Sequence, residues 1–380
     1  MPAKQPVENE SAFKHWINRD VLVRLSTEIS EVYPAFDQKP FKALAKELEP
    51  LELKARIRVV REGLRERLPR DFTKAVKILV DSIRRGKLSG FALWPYTDFI
   101  QTYGLEHRKE SLEALSNITE LFTAEFGVRP FLSQDTDVTL AFLLQQARSS
   151  NEHLRRWASE GSRPRLPWGE RLDVFIERPE KTLPILELLK NDEALYVRKS
   201  VANHLNDISK DHPELVVNTL KRWAKEAKSE NAERIRWITH RALRTLIKKG
   251  DAEALSAVGV SSAPKVKISG FNVDKAMYKL GDRLNFGFEL RSTTKKDQTI
   301  IVDYIIHFQK SNKTTSAKVF KLKRLELAGG ASLEIAKAHH LKQVTTRVHY
   351  AGAHTIEIQV NGSVMARADW KLKIPGSPPF

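Results

Sequence analysis

One short segment, residues 155–168, collects side chains suited to two opposite kinds of charge. It reads RRWASEGSRPRLPW and holds four arginines, two tryptophans and a single acid, Glu160. Guanidinium groups pair well with phosphate, whereas indole faces and a carboxylate attract a positively charged group. Gly161, Pro164 and Pro167 keep most of the segment from forming a plain helix. By residue type alone it is a basic patch that holds one acid, and the role of that acid is the question the segment raises.

The whole chain is basic, which favours a polyanionic partner. Its 380 residues include 64 Lys and Arg against 47 Asp and Glu, a formal net charge of +17. Such an excess points to DNA or RNA ahead of a membrane surface. Residues 264–380 carry 20 basic and 9 acidic side chains, so this smaller part holds +11 of the excess. The alternative is a basic protein without a polyanionic partner.

Composition excludes several classes of function. The chain has no cysteine, which rules out disulfides, thiol catalysis and the common cysteine-based zinc sites. No stretch approaches 18 uninterrupted apolar residues, and the N-terminal sequence has no apolar run of the signal-peptide type. We therefore expect a cytoplasmic protein without a membrane partner. We expect no cofactor and no metal, although His339, His340, His349 and His354 lie in one region.

Helices must position the basic segment, because the first 260 residues show helical periodicity almost throughout. Residues 51–68 place apolar side chains on one face and arginines on the other. Residues 71–86 open with an aspartate suited to an N-cap and end at a glycine. Residues 114–132 form another amphipathic run, which we expect to break at Gly127 and Pro130.

A weak internal repeat suggests how these helices are arranged. Residues 196–210 align with residues 234–248, each opening on an apolar–Arg pair followed by spaced leucines. This pattern is typical of HEAT-type repeats, which stack so that one helix of each pair lines a concave surface. The residues expected to face that surface are Arg198, Lys199, Arg236 and His240. Two unrelated amphipathic helices can produce the same match by chance.

The pattern changes near residue 260, where a linker leads into alternating, strand-like runs separated by turn residues. The runs are residues 265–273, 283–290, 299–310, 317–327, 331–341, 346–362 and 365–374. Seven or eight short strands at such intervals are typical of an immunoglobulin-like β-sandwich. We predict a multidomain α + β protein, with a helical HEAT-like superhelix over residues 1–260 and a sandwich over residues 264–375.

Four blocks of the sequence resemble a known family: residues 91–106, 125–132, 155–172 and 183–223. They are similar to the HEAT-like-repeat alkylpurine DNA glycosylases, specifically the AlkC branch with a C-terminal immunoglobulin-like domain. The resemblance implies a bacterial, monomeric enzyme of base-excision repair, associated with the nucleoid when it binds double-stranded DNA. It implies hydrolysis of the N-glycosidic bond of cationic 3-methyladenine and 3-methylcytosine, without full base flipping and without strand cleavage.

The same resemblance implies the site residues. Glu125, Glu160 and Asp207 match the family's active-site acids, and Trp168 matches its aromatic wall. Carboxylates suit this reaction because its transition state carries positive charge on the sugar. Each acid also has a simpler interpretation. Glu125 could lie on a solvated helix face, Glu160 could pair with Arg156 at helical spacing, and Asp207 could be an ordinary helix-end residue, although an acid there opposes the helix dipole.

The remaining basic residues are candidates for phosphate contacts, some of which could instead be plain surface charge. They are Arg155, Arg156, Arg163, Arg165, Arg198, Lys199, Arg234 and Arg236. In the sandwich, residues 293–298 and 321–327 and the pair His339–His340 could help to clamp DNA. Two other functions remain open. A non-catalytic nucleic-acid-binding scaffold would keep the arginines and not use the acids, and a protein–protein adaptor would not bind DNA.

Overall fold

The computed structural model describes residues 13–344 and 347–374, so residues 1–12, 345–346 and 375 of the predicted domains lie outside the described part. The chain divides between Asp211 and His212 into two compact units. In the described residues, no helix combines the length and the apolar character needed to cross a membrane.

Helices build the described part of the first unit, together with short 3₁₀ turns at Phe13–Trp16, Gly90–Leu93 and Pro179–Thr182. The α-helices are α1 (Arg19–Val32), α2 (Gln38–Ala43), α3 (Ala45–Leu48), α4 (Leu53–Arg67), α5 (Phe72–Arg84), α6 (Trp94–Tyr103), α7 (Arg108–Thr119), α8 (Arg129–Gln134), α9 (Thr136–Gln146), α10 (Glu152–Gly161), α11 (Asp173–Glu177), α12 (Leu183–Leu189) and α13 (Leu195–Ile208). The fold class predicted for this part is confirmed.

Helices α4 and α5 form where periodicity and capping predict them. Val60 and Leu64 of α4 are fully buried, as their shared apolar face requires. At the start of α5 the Asp71 carboxylate accepts a hydrogen bond of 2.8 Å from the Lys74 amide, and this satisfies one of the free donors of the first turn. Gly86, just beyond α5, has φ of +74°, a conformation that glycine adopts without strain.

The predicted course of residues 114–132 is wrong in detail. Helix α7 already ends at Thr119, and a turn places Glu125 outside any helix. The Thr119 hydroxyl accepts the Ala124 amide at 3.2 Å and stabilises this turn. Pro130 does not break a helix but lies in the first turn of α8, where its missing N–H leaves no hydrogen bond unmade.

The second unit opens with α14 (Pro213–Glu226), α15 (Ser229–Ala242), α16 (Arg244–Lys249) and α17 (Ala252–Ala257). The aligned apolar positions of the internal repeat are buried in both copies, including Val197 and Ile235. The copies differ in continuity, because α13 is unbroken whereas the second copy is interrupted at Leu243, between α15 and α16.

The strands are β1 (Val266–Val273), β2 (Met277–Lys279), β3 (Arg283–Ser292), β4 (Gln298–Gln309), β5 (Thr315–Leu327), β6 (Ser332–His340), β7 (Gly352–Val360) and β8 (Ser363–Lys373). They form sheets of order β1-β3-β6 and β2-β8-β7-β4-β5, antiparallel except where β2 pairs with β8. Side chains from both sheets, such as Phe286 and Ile306, form the core. The periodicity predicted every strand named here except β2. In the described part of the predicted run 346–362, residues 347–362, the strand begins at Gly352.

The end of α16 packs closely against the turn between β7 and β8. Gly250 (φ +77°) and Gly362 (φ +84°) meet backbone to backbone, and a Cβ added to Gly250 would lie 2.9 Å from the Gly362 Cα. The Gln359 amide donates to the Lys248 carbonyl at 2.9 Å, and the Asn361 amide donates to the Ser261 carbonyl at 2.8 Å. The second unit therefore includes helices as well as the sandwich.

Candidate active site

Three acids that are far apart in the sequence lie buried in the first unit. Glu125 lies in the turn after α7, Glu160 in the last turn of α10 and Asp207 in the last turn of α13. Their exposed fractions are 8%, 6% and 2%. Such burial does not fit a solvated helix face for Glu125 or a surface ion pair for Glu160.

Two guanidinium groups connect the three acids in a row. Arg156 pairs with Glu125 and lies 3.6 Å from Glu160 between Nη2 and Oε1. The Nη1 of Arg163 lies 2.6 Å from Glu160 Oε1, while its Nε and Nη2 lie 2.8 and 2.7 Å from Asp207 Oδ2. The row alternates in sign and thereby holds each carboxylate against a cation, which is how buried charges are tolerated.

Neighbouring hydroxyl groups complete the hydrogen bonding of the row. The Ser200 hydroxyl, on α13, lies 2.6 Å from Glu160 Oε2, to which it can donate. Thr123 donates to Glu125, and Lys210 Nζ lies 3.0 Å from Asp207 Oδ1. These contacts fix the direction in which each carboxylate presents its oxygens.

Glu160 is held in its ionised form. Burial alone would raise its pKa, but Arg156, Arg163 and the hydrogen bond from Ser200 outweigh burial and lower the pKa below the ordinary value. The pKa values of both arginines are raised, because their acidic partners outweigh the effect of burial. The site therefore offers a fixed negative charge at neutral pH.

His204 packs behind this row and is uncharged. Its Nδ1 lies 2.9 Å from the Ser159 carbonyl, so the tautomer that fits carries its proton on Nδ1. Complete burial lowers its pKa to about 3. Ser200, His204 and Asp207 follow helical spacing of i, i+4 and i+7 on α13, and this polar stripe is the sequence signal that could have identified Ser200 and His204.

Trp168 is exposed to 56% and has φ of +66°, a left-handed conformation that is strained for any residue with a Cβ. Lys54 Nζ donates to its carbonyl at 2.8 Å, and its ring lies edge-on to Phe13 at 5.8 Å between centroids. Trp157, by contrast, is completely buried, as expected of a core residue.

A cavity of about 300 Å³ lies beside Trp168. Trp94 and Phe126, which are stacked at 5.2 Å, also line it. Its floor includes the buried Arg129, which donates to the carbonyls of Glu170 (2.8 Å), Gly161 (2.9 Å) and Arg163 (2.8 Å). Arg129 thus holds the segment that carries Glu160 and Trp168 beside Trp94 and Phe126. Arg129 was not among the residues predicted from the sequence, because its three acceptors are backbone carbonyls that leave no pattern of residue types.

The predicted phosphate-binding residues differ in how they are placed. Arg155 pairs with Asp192 through Nε and Nη2 at 2.6 and 3.1 Å, and Arg165 pairs with Asp211 at 2.9 Å. Arg198 donates to backbone carbonyls at 2.7 and 2.8 Å. Lys199 and Arg236 are exposed and Arg234 is half-buried. Arg156 and Arg163 are the two that the structure brings to the acids.

In the sandwich, His339 is packed rather than exposed. Its Nδ1 lies 2.8 Å from the Tyr304 hydroxyl, its ring lies 4.7 Å from Phe320 between centroids, and burial lowers its pKa to about 4. His340 Nε2 lies 3.1 Å from the Gly281 carbonyl. Within residues 13–344 and 347–374, no group of His, Asp and Glu is arranged to hold a metal ion.

Known proteins resemble this chain over nearly its whole length. Residues 267–374 match the family described as the C-terminal Ig-like domain of uncharacterised protein YhaZ. The YhaZ protein of Bacillus subtilis (strain 168) is 38% identical over 362 residues, which cover 94% of this chain and 99% of YhaZ. The alkylpurine DNA glycosylase AlkC of Pseudomonas fluorescens, solved bound to DNA containing an abasic site analog, superposes with a TM-score of 0.89. It is 41% identical and covers 95% of this chain and 99% of its own. The chain therefore belongs to the AlkC family, with helical repeats followed by an immunoglobulin-like domain.

Proposed function

We propose that this protein is an alkylpurine DNA glycosylase. The observation that carries the proposal is the buried row of three carboxylates, Glu125, Glu160 and Asp207, in a chain 41% identical to AlkC. The substrates are double-stranded DNA with cationic N3-alkylated bases, 3-methyladenine and 3-methylcytosine. A net charge of +17 supports a DNA partner.

The reaction proceeds by hydrolysis. The C1′–N bond breaks and its electron pair moves to the base, which leaves neutral because alkylation had already made it cationic. The sugar becomes oxocarbenium-like; a water oxygen then bonds to C1′ and gives its proton to a carboxylate. Glu160 and Asp207 stabilise the sugar cation and orient the water, Glu125 contacts the base, and Trp168 forms the wall of the site. The base need not be fully flipped.

The arginines divide into two groups in this proposal. Arg156 and Arg163 position the carboxylates and keep them ionised, because the acids that their guanidinium groups contact are Glu125, Glu160 and Asp207 themselves. Phosphate contacts fall to Arg155, Arg165, Arg198, Lys199, Arg234 and Arg236. The helical domain (residues 1–260) performs the chemistry as a monomer in the cytoplasm, and the basic sandwich (residues 264–375) clamps the DNA.

One assay tests the activity against the alternatives. Methylated duplex DNA is incubated with the full chain, and released bases are separated by chromatography. Release of 3-methyladenine or 3-methylcytosine with intact strands supports a monofunctional glycosylase. DNA binding without release would instead identify a non-catalytic scaffold, and absence of DNA affinity would leave a protein–protein adaptor.

Glu160→Gln tests the chemistry of the row. We expect single-turnover base release to fall by about 100- to 1,000-fold, the usual effect of removing one preorganised electrostatic group. DNA affinity should stay unchanged, because the side chain keeps its shape. Glu152→Gln, an exposed acid in the first turn of the same helix, is the matched control. Full release by Glu160→Gln would contradict the proposed mechanism.

A further inference from the structure

A second cavity, a basic cleft of about 380 Å³, lies within the second unit, between the helices and strand β5. Helix α15 contributes Arg236, Thr239 and His240, strand β5 contributes Arg324, and the end of α17 contributes Val258 and Gly259. None of the side chains that line the cleft is a carboxylate. The cleft therefore collects positive charge without a counter-charge.

Contacts inside the cleft show how closely these groups approach. The Nη1 of Arg324 lies 3.0 Å from both ring nitrogens of His240, while its Nη2 donates to the Val258 carbonyl at 3.3 Å. Burial lowers the pKa of His240, and Arg324, Arg236 and Lys321 lower it further. Two cationic groups and a histidine whose protonation is disfavoured by burial and by these cations form a surface that an anion would stabilise.

We propose that this cleft binds one phosphate of the DNA backbone, gripped jointly by α15 and β5. The proposal rests on the proposed function in one respect, that DNA is the partner. A phosphodiester fits because it presents two charged oxygens, one for the Arg324 fork and one for Arg236 and His240. The bound anion offsets the repulsion from the arginines and favours a proton on His240. The charged groups that face His240 are Arg236 from its own helix and Arg324 and Lys321 from β5, and the lining residues of α14 and α17 carry no charge.

The salt dependence of binding tests the site in the full chain. Affinity for undamaged duplex DNA is measured between 50 and 200 mM salt for wild type, Arg324→Gln and Arg367→Gln. Each phosphate contact contributes about one unit to the slope of log affinity against log salt. Arg324→Gln should lose about one unit, whereas Arg367→Gln, an exposed arginine of β8 paired with Asp369, should not. An unchanged slope for Arg324→Gln would overturn the proposal.

Two further measurements separate this site from other outcomes. Wild-type affinity should rise as pH falls from 7.5 to 5.5, and His240→Gln should remove that rise. Calorimetry with inorganic phosphate shows whether the cleft takes a free anion; binding of phosphate with a full DNA slope in Arg324→Gln would overturn the DNA assignment. If Arg324→Gln lowers the slope of log affinity against log salt but the wild type releases no base, the phosphate site is supported and the glycosylase activity is rejected.

Discussion

At the scale of single residues, the row of acids and arginines explains how carboxylates stay charged in a buried place. Each acid has a cationic partner, and removing one partner of a buried pair costs about 3–5 kcal/mol because the other charge is left alone. Arg163 shows this most clearly, since it joins Glu160 to Asp207 with only 6% of its surface exposed. Amide variants of the acids, which keep the shape of the side chain and one of its two acceptor oxygens, disturb the packing less than alanine variants do and are the cleaner probes of chemistry.

Trp168 gives a prediction about backbone strain. In its left-handed conformation, Trp168→Gly should be more stable than Trp168→Ala by about 0.5–1 kcal/mol, because glycine adopts φ of +66° without a Cβ clash. Urea unfolding of both variants measures the difference.

Val23 supplies the control for this comparison. It lies in the interior of α1 and is 37% exposed. There Val23→Gly should be less stable than Val23→Ala by about 1 kcal/mol, the normal order in a helix. The same order at both positions would show that Trp168 is not strained.

His204 gives a prediction about pH. Its folded pKa of about 3 lies below the ordinary 6.5, so the unfolded chain takes up a proton that the folded chain refuses. Its contribution to stability is complete above pH 6.5 and is lost as pH falls toward 3. Between pH 7 and pH 5, wild type should lose about 2 kcal/mol more free energy of unfolding than His204→Asn. If the free energies of unfolding of the two proteins changed in parallel with pH, this prediction would be contradicted.

At the scale of elements, α10 shows how one helix serves the core and the site together. Trp157 is buried in the core, while Arg156 and Glu160, at i and i+4, belong to the row of acids and arginines. Ser159 lies 2.9 Å from Ser200 of α13, hydroxyl to hydroxyl. The helix ends at Gly161, where a Cβ would lie 2.6 Å from Val128 Cγ1. Close packing at this glycine fixes where Glu160 lies.

Gly161→Ala tests that packing. We expect a loss of about 1–3 kcal/mol of unfolding free energy from the clash, and slower base release because Glu160 is displaced. Val128→Ala removes the clashing methyl group. The double variant should therefore lose less stability than the sum of the two single variants. Strict additivity would show that the two residues do not meet.

Local signals predicted the elements better than the site. Helix α5 follows from a cap and a periodic face, and the strands follow from alternation, because both depend on neighbours in sequence. The ion pair between Arg163 and Asp207 joins residues that are 44 positions apart, and no local pattern predicts such a partner. For that reason the sequence placed Arg163 among the phosphate contacts, while the resemblance alone selected the three acids.

At the scale of the whole molecule, helix and sheet are not separated where the sequence changes character. The strands begin at Val266, yet the compact unit that holds them begins at His212. Helices α14 to α17 therefore belong structurally with the sandwich. Arg324 of β5 contacts His240 of α15 inside this unit. The basic surface of the sandwich therefore extends onto helix α15.

Gly362→Ala tests this joint packing. An added Cβ would strike the Gly250 backbone, so we expect a loss of about 1–3 kcal/mol beyond the cost of a left-handed alanine. Gly330→Ala is the control, since Gly330 has φ of +71° but no atom within 4 Å of an added Cβ. Hydrogen exchange should show helices and sandwich losing protection together in Gly362→Ala. Unchanged protection of α16 would refute the coupling.

The meeting of Gly250 and Gly362 limits how such proteins can exchange parts during evolution. If the sandwich were joined to another protein without α16, Gly362 would no longer pack against Gly250. The side chains of Gln359 and Asn361 would also lose their acceptors, the carbonyls of Lys248 and Ser261. The segment that must be kept together is therefore longer than the immunoglobulin-like domain. A recombination that preserves it must carry the last helical repeat along with the strands.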